Sequence, residues 1–245
     1  MQTCNNCHQP FNGKYCTHCG QKATVGRLSL HEVFHELVHA FTHAEKGILR
    51  LSKELLISPR KMYMSYFSGK RKTYFSPVMI FLLAIGLLIF LGDRLWDLEH
   101  SLTNKPYAFE RLINRLDKVR YLIFIPLISL LTWLFFYKRF NVAECLTFWF
   151  FCLGLVNIFG IISCLPQFLF MKYRHPINYF SDWIVWIIIL THIFIVFFNR
   201  TWWSGIKCFI LALSMYILLS YISLLLAYSK GLSIDFNFWH VVNVF

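Results

Sequence analysis

From Phe75 onward the chain is written in apolar blocks long enough to cross a bilayer, and that restricts its fold more than any other feature. A hydrocarbon core of about 30 Å takes about 20 helical residues to span. Five spans are expected: Phe75–Leu91, Tyr121–Tyr137, one within Ala143–Met171 ending near Pro166, Tyr179–Phe198 and Cys208–Tyr228. The last stretch, Phe236–Phe245, is apolar but too short to cross and is expected to lie in the interface. Only 15% of the residues are charged and 57% are hydrophobic, which excludes an ordinary soluble domain, where about a quarter are charged. The reading is an all-α membrane protein of about five transmembrane helices (75–245). Ahead of these stand a small cytoplasmic zinc ribbon (1–22) and a His-rich, amphipathic and basic juxtamembrane segment (23–74).

Charge sets the expected orientation. Residues 1–74 carry 11 of the 24 Lys and Arg but only 4 of the 12 acidic residues. The N-terminus has no apolar h-region, so the first span is expected to act as an internal anchor with residues 1–74 left on the cytoplasmic side. The segments that this places inside hold 15 of the 24 Lys and Arg, in line with the positive-inside rule. An odd number of spans then puts the C-terminus outside.

Residues 4–19 read CNNCHQPFNGKYCTHC, two C-x-x-C pairs eight residues apart. Each pair turns two sulfurs to one side, and Asn12-Gly13 between them is the strongest short hairpin signal. A hairpin there would fold the pairs together into a tetrahedral four-thiolate zinc site of Cys4, Cys7, Cys16 and Cys19. A reducing cytoplasm suits thiolate ligands rather than disulfides. A redox dithiol or four unligated thiols are the alternatives. With every ligand position filled by protein, the zinc would be structural, one per chain. His8 stands where a glycine would be ideal, whereas the second pair is followed by Gly20. His8 and His18 are expected to be exposed.

Leu30, Phe34, Leu37, Phe41, Ile48, Leu51 and Leu55 recur at helical spacing, with Ser29 and Glu32 as a capping box. On this helix His31, His35, His39 and His43 form a stripe that drifts by about 40° per step. Two overlapping HExxH strings result. That pattern places two imidazoles on one zinc with the Glu as general base, and Glu54 lies within range as a third ligand. The same stripe also fits a second metal site, a pH sensor, or simply the polar edge of a membrane-surface helix.

Between this helix and the first span lies Ser58–Pro77, where Arg60, Lys61, Lys70, Arg71 and Lys72 alternate with Met and aromatic residues. Basic side chains there are expected to anchor on anionic headgroups with the rings at the interface. Because a bilayer begins within a few residues, lipid rather than nucleic acid is the expected partner. The ribbon ending Tyr15–Lys22, Gly47, the Leu-Leu-x-Ser-Pro step from Leu55 to Pro59, and Gly69-Lys70-Arg71-Lys72-x-Tyr74-x-x-Pro77 resemble an uncharacterised family of bacterial multi-pass membrane proteins. That family is a domain of unknown function with a Gly-Lys-Arg motif before its first span. The resemblance covers roughly residues 1–85, and the later helices match it only in character. It implies a bacterial inner-membrane protein and no established activity.

Polar groups inside spans are the remaining candidates. His192 falls deep in the fourth span and Asn157 near the middle of the third, beside Gly154 and Gly160. They would line a transport path or hydrogen-bond between helices. Trp149, Trp183, Trp202 and Trp203 are expected in an interfacial belt, and Cys145, Cys152, Cys164 and Cys208 as small buried residues. Three functions follow. The first is a non-enzymatic protein whose ribbon binds a protein partner or a second copy. The second is a transporter or lipid-handling protein. The third is an HExxH membrane metalloprotease.

Overall fold

The computed structural model describes residues 2–23, 25, 28–30, 48–103 and 121–228. Among them are two short strands, β1 (Gln2–Thr3) and β2 (Pro10–Phe11), and seven α-helices. The helices are α1 (Ile48–Ile57), α2 (Pro59–Phe67), α3 (Pro77–Thr103), α4 (Tyr121–Phe136), α5 (Val142–Leu169), α6 (Arg174–Phe197) and α7 (Trp202–Tyr228). A single 3-10 turn at Met171–Tyr173 joins α5 to α6.

Helix α5 is the axis. It is apolar on every side, and α3, α4 and α6 all pack on it. Its start is fixed by a capping box in which Asn141 Oδ1 accepts from the Glu144 N–H and the Glu144 carboxylate accepts from the Asn141 N–H, each at 2.8 Å. Small residues let α3 come close: a Cβ at Gly154 would stand 3.1 Å from Ile80 Cγ2 and 3.4 Å from the Phe81 nitrogen. One further contact, Gly160 against Leu88, keeps the two helices parallel.

The outside of the bundle is apolar at helical spacing. Leu83, Leu87 and Phe90 are exposed on α3, Leu127, Leu130 and Leu134 on α4, and Ile162, Leu165 and Leu169 on α5. Water would penalise such stripes on several helices at once, whereas acyl chains match them. Three helices, at Pro77–Leu102, Val142–Leu169 and Pro176–Phe197, are long and apolar enough to cross a membrane, and two shorter apolar stretches run over Phe124–Phe136 and Trp202–Leu218.

Several boundaries differ from the sequence reading. The first long helix does not stop near Leu91. It runs on to Thr103 because Leu95 joins Leu88 in a patch packed on Cys164 of α5. Pro166 does not end α5 either: it removes one bond behind it, but its carbonyl still accepts the Phe170 N–H at 2.9 Å and closes a further turn. Trp149 is not interfacial. It is fully buried with Nε1 donating to Thr132 Oγ1 at 2.9 Å, whereas Trp183, Trp202 and Trp203 are exposed.

Helices α1 and α2 are more deeply engaged than a surface segment would be. Helix α1 is described from Ile48 to Ile57, and Ser58-Pro59 ends it and starts α2, with Pro59 at the first helical position. Leu51 and Leu55 of α1 and Met62 and Tyr63 of α2 have no exposed surface. The Tyr63 ring lies 5.1 Å from Phe148 and 6.2 Å from His192, and Tyr66 lies 5.1 Å from Phe151. The aromatic half of Ser58–Pro77 is therefore core rather than interface. Its buried positions 59, 62, 63, 66 and 67 form a helical stripe that leaves Arg60 and Lys61 on the outside.

A four-cysteine head docked on the Gly69 loop

The four N-terminal cysteines converge. All four sulfurs lie within 4.8 Å of one another, with Cys4 Sγ 3.5 Å from Cys19 Sγ and Cys7 Sγ 3.6 Å from Cys16 Sγ. A disulfide would need about 2.05 Å. Four sulfurs each about 2.3 Å from a central ion would be about 3.8 Å apart, so the donor set fits a tetrahedral thiolate-bound metal. The hairpin that forms them is not the one expected across Asn12-Gly13. β1 pairs with β2 across the first C-x-x-C, and Tyr15 bridges to Lys22 across the second, so each pair sits at the tip of its own ribbon. Positive φ closes both tips, at Gly20 (73°) and, despite its side chain, at His8 (60°). His8 and His18 are exposed.

Without an ion the thiols compete for charge. Burial raises the Cys4 pKa, but N–H groups of Cys7 and Asn6 and neighbouring thiols outweigh it and bring Cys4 down to about 6. The Gln9 N–H pulls Cys7 down, but burial and the Cys16, Cys19 and Cys4 sulfurs push it up to about 12. A divalent cation removes that conflict by stabilising all four thiolates together.

The head is held against the loop that follows α2. That helix ends in a Schellman motif: Lys70 N–H donates to Ser65 C=O at 3.0 Å and Gly69 N–H to Tyr66 C=O at 3.1 Å, with Gly69 at φ 103°. Gln21, the residue after Gly20, reaches into this turn. Its Nε2 donates to the Gly69 carbonyl at 2.5 Å and its Oε1 accepts from the Lys72 N–H at 3.2 Å. From the other knuckle Asn6 Oδ1 accepts from Thr73 Oγ1 at 2.5 Å. Gln21, Asn6 and Gly69 are buried by this contact. A Cβ on Gly69 would stand 3.2 Å from Val25 Cγ1, so glycine is needed there both for its φ and for the approach of the chain leaving the head.

The other singled-out residues are placed as follows. Arg60, Lys61 and Lys72 are exposed, and Lys70 and Arg71 half-buried. His192 holds α1: its Nε2 is 3.2 Å from the Leu55 carbonyl and its Nδ1 is 2.8 Å from the Ile188 carbonyl. The cause lies in the sequence of α1, because the helical partner of Leu55 C=O would be the nitrogen of Pro59, which carries no hydrogen. Asn157 is buried on α5, and its Nδ2 has no hydrogen-bond partner among the described residues. His31, His35, His39 and His43, the Ser29–Glu32 capping box and the tail Phe236–Phe245 fall wholly or partly outside the described residues. Gln21, Asn6 and Thr73 were not singled out by sequence. For Gln21 and Asn6 the only hint is a polar residue in or beside a C-x-x-C pair; Thr73 carries none.

Residues 45–89 are similar to a family described as a protein of unknown function, DUF3667. The matched stretch contains α1, α2, the Gly69 loop and the first half of α3, so it takes in the surface on which the head docks. No curated protein and no solved structure matches the chain.

Proposed function

We propose that this chain is a multi-pass protein of the bacterial inner membrane, with five spans and a cytoplasmic N-terminus, that binds a partner and is not an enzyme. Its Cys4, Cys7, Cys16 and Cys19 hold one structural zinc. The head recruits a protein partner, or a second copy of the chain, at the cytoplasmic face, and the basic residues of the Gly69 loop and α2 lie on anionic headgroups.

The observation that carries this reading is the docked head. Asn6 and Gln21 are spent on the Gly69 loop, while Tyr15 is 60% exposed on a segment too small to have much core of its own. A bare tyrosine flanked by Lys14 and His18, presented in a fixed direction, is a suitable anchor for a protein surface. The transport reading has less support, since the His192 ring lies between two carbonyls of the bundle itself, those of Ile188 and Leu55, and its one N–H donates to one of them. The protease reading rests on His31, His35 and His39.

The test is an in-cell cross-linking capture with the full chain, the chain lacking residues 1–22, and Tyr15→Ser. A partner, or a second copy, captured by the full chain and lost from both variants supports the reading. The same set captured by all three overturns it.

A further inference from the structure

The bend at Ile57-Ser58-Pro59 that joins α1 to α2 has an unusual surface. Leu55 is fully buried, yet the next two residues, Leu56 and Ile57, are 62% and 71% exposed. Within four residues of this pair along the chain, Lys53, Arg60 and Lys61 are exposed as well. A cleft of about 350 Å³ lined by Lys53, Glu54, Ile57 and Ser58 opens beside it.

The depth of the bend can be read against α6. Leu55 C=O meets His192, which lies five residues before the last residue of that helix, Phe197. At 1.5 Å per residue the bend sits about 7–8 Å inside the end of α6. Phe194, nearer that end than His192, is exposed and apolar. The lipid-facing surface of α6 therefore extends past the level of the bend. A segment about 5–10 Å below the headgroup plane is at the depth where amphipathic elements lie, and Arg and Lys side chains are long enough to reach back to phosphates from it.

We propose that the α1–α2 bend is a wedge inserted into one leaflet, with Leu56 and Ile57 among the acyl chains and Lys53, Arg60 and Lys61 on anionic headgroups. The occupant of this surface is the membrane itself. An aqueous surface would leave two large aliphatic side chains in water at the tip of a bend, and a buried protein contact would desolvate three cations. Only a boundary with acyl chains on one side and phosphates on the other suits both sets. The proposal rests on the reading of α3, α5 and α6 as spans.

The test is site-directed spin labelling of the full chain in vesicles of phosphatidylethanolamine and phosphatidylglycerol. The signal of the unsubstituted protein is subtracted, since native thiols are buried or in the four-cysteine head. Labels are placed at Ile57→Cys and, as a reference for the span reading, at Leu87→Cys on the exposed face of α3. Collision with oxygen, which partitions into lipid, should dominate over collision with a water-soluble nickel chelate at both positions. An Ile57 label that meets nickel while the Leu87 label meets oxygen overturns the wedge and leaves the spans standing. Nickel-dominated collision at both overturns the span reading itself, and the wedge with it. Arg60→Gln with Lys61→Gln should shift the Ile57 label toward nickel in vesicles containing phosphatidylglycerol. No shift there would remove the anionic headgroups from the proposal.

Discussion

Replacing Gln21 by alanine should release the Gly69–Thr73 loop while leaving the metal in place. Two hydrogen bonds are lost, to Gly69 C=O at 2.5 Å and from Lys72 N–H at 3.2 Å, and the Gly69 carbonyl is buried in the contact. Each bond contributes about 0.5–1.5 kcal/mol net, and a stranded buried acceptor adds to the loss, so about 2–3 kcal/mol is expected. That corresponds to a roughly 30- to 150-fold rise in the undocked fraction. The loop carries its own reporter, since Lys70, Arg71 and Lys72 are consecutive trypsin sites. When opening is fast compared with cleavage, the cutting rate follows the open population. With the proposed cytoplasmic N-terminus, inverted membrane vesicles expose this loop to trypsin, and the fragment ending at residues 70–72 is followed in time. Gln21→Glu keeps an acceptor for Lys72 N–H but sets a carboxylate oxygen against the Gly69 carbonyl, so it should release the loop at least as much as Gln21→Ala. Cleavage at the wild-type rate in Gln21→Ala, with metal content unchanged, would show that the docking contact does not hold the loop.

Four further outcomes follow from the same geometry. Gly69→Ala forces a side chain into φ 103° against Val25 and should cost about 1–3 kcal/mol, read as faster trypsin cleavage at the same sites. Chelation of the proposed metal should speed that cleavage as well, because Asn6 and Gln21 sit on or beside the two knuckles that a bound ion would hold together. His192→Leu removes an imidazole whose single N–H serves either the Leu55 or the Ile188 carbonyl, and should lower the detergent-unfolding midpoint by an amount equivalent to about 1–3 kcal/mol. Gly154→Val should separate α3 from α5 and reduce extracted, folded protein, whereas Gly86→Val, where the space is open, should not.

Much of the helical layout is legible in the sequence because span length and apolar composition are local properties. The start of α2 is equally legible, from Ser58-Pro59. The four cysteines are found by spacing alone. The position of α1 and α2 inside the bundle is not, since basic and aromatic residues in a short stretch suit an interface and a core face alike. What decides it is partners far away in the chain: Phe148 and Phe151 for the tyrosines of α2, and His192 for the carbonyl that Pro59 strands in α1. The stripe at positions 59, 62, 63, 66 and 67 was the available signal, and reading the stretch as an alternation of basic and aromatic residues hides it. The docking of the head was beyond reach for a similar reason, as Gln21 and Gly69 are 48 residues apart and nothing in either neighbourhood names the other as its partner.

The most direct check on the central claim is the metal content and metal-edge X-ray absorption of the full chain purified from membranes without added metal. One zinc per chain surrounded by four sulfurs at about 2.3 Å is the expected result, and it should be lost with Cys4→Ser and Cys7→Ser. A chain that carries no metal, or one whose zinc is held by nitrogen ligands and survives those substitutions, would contradict it.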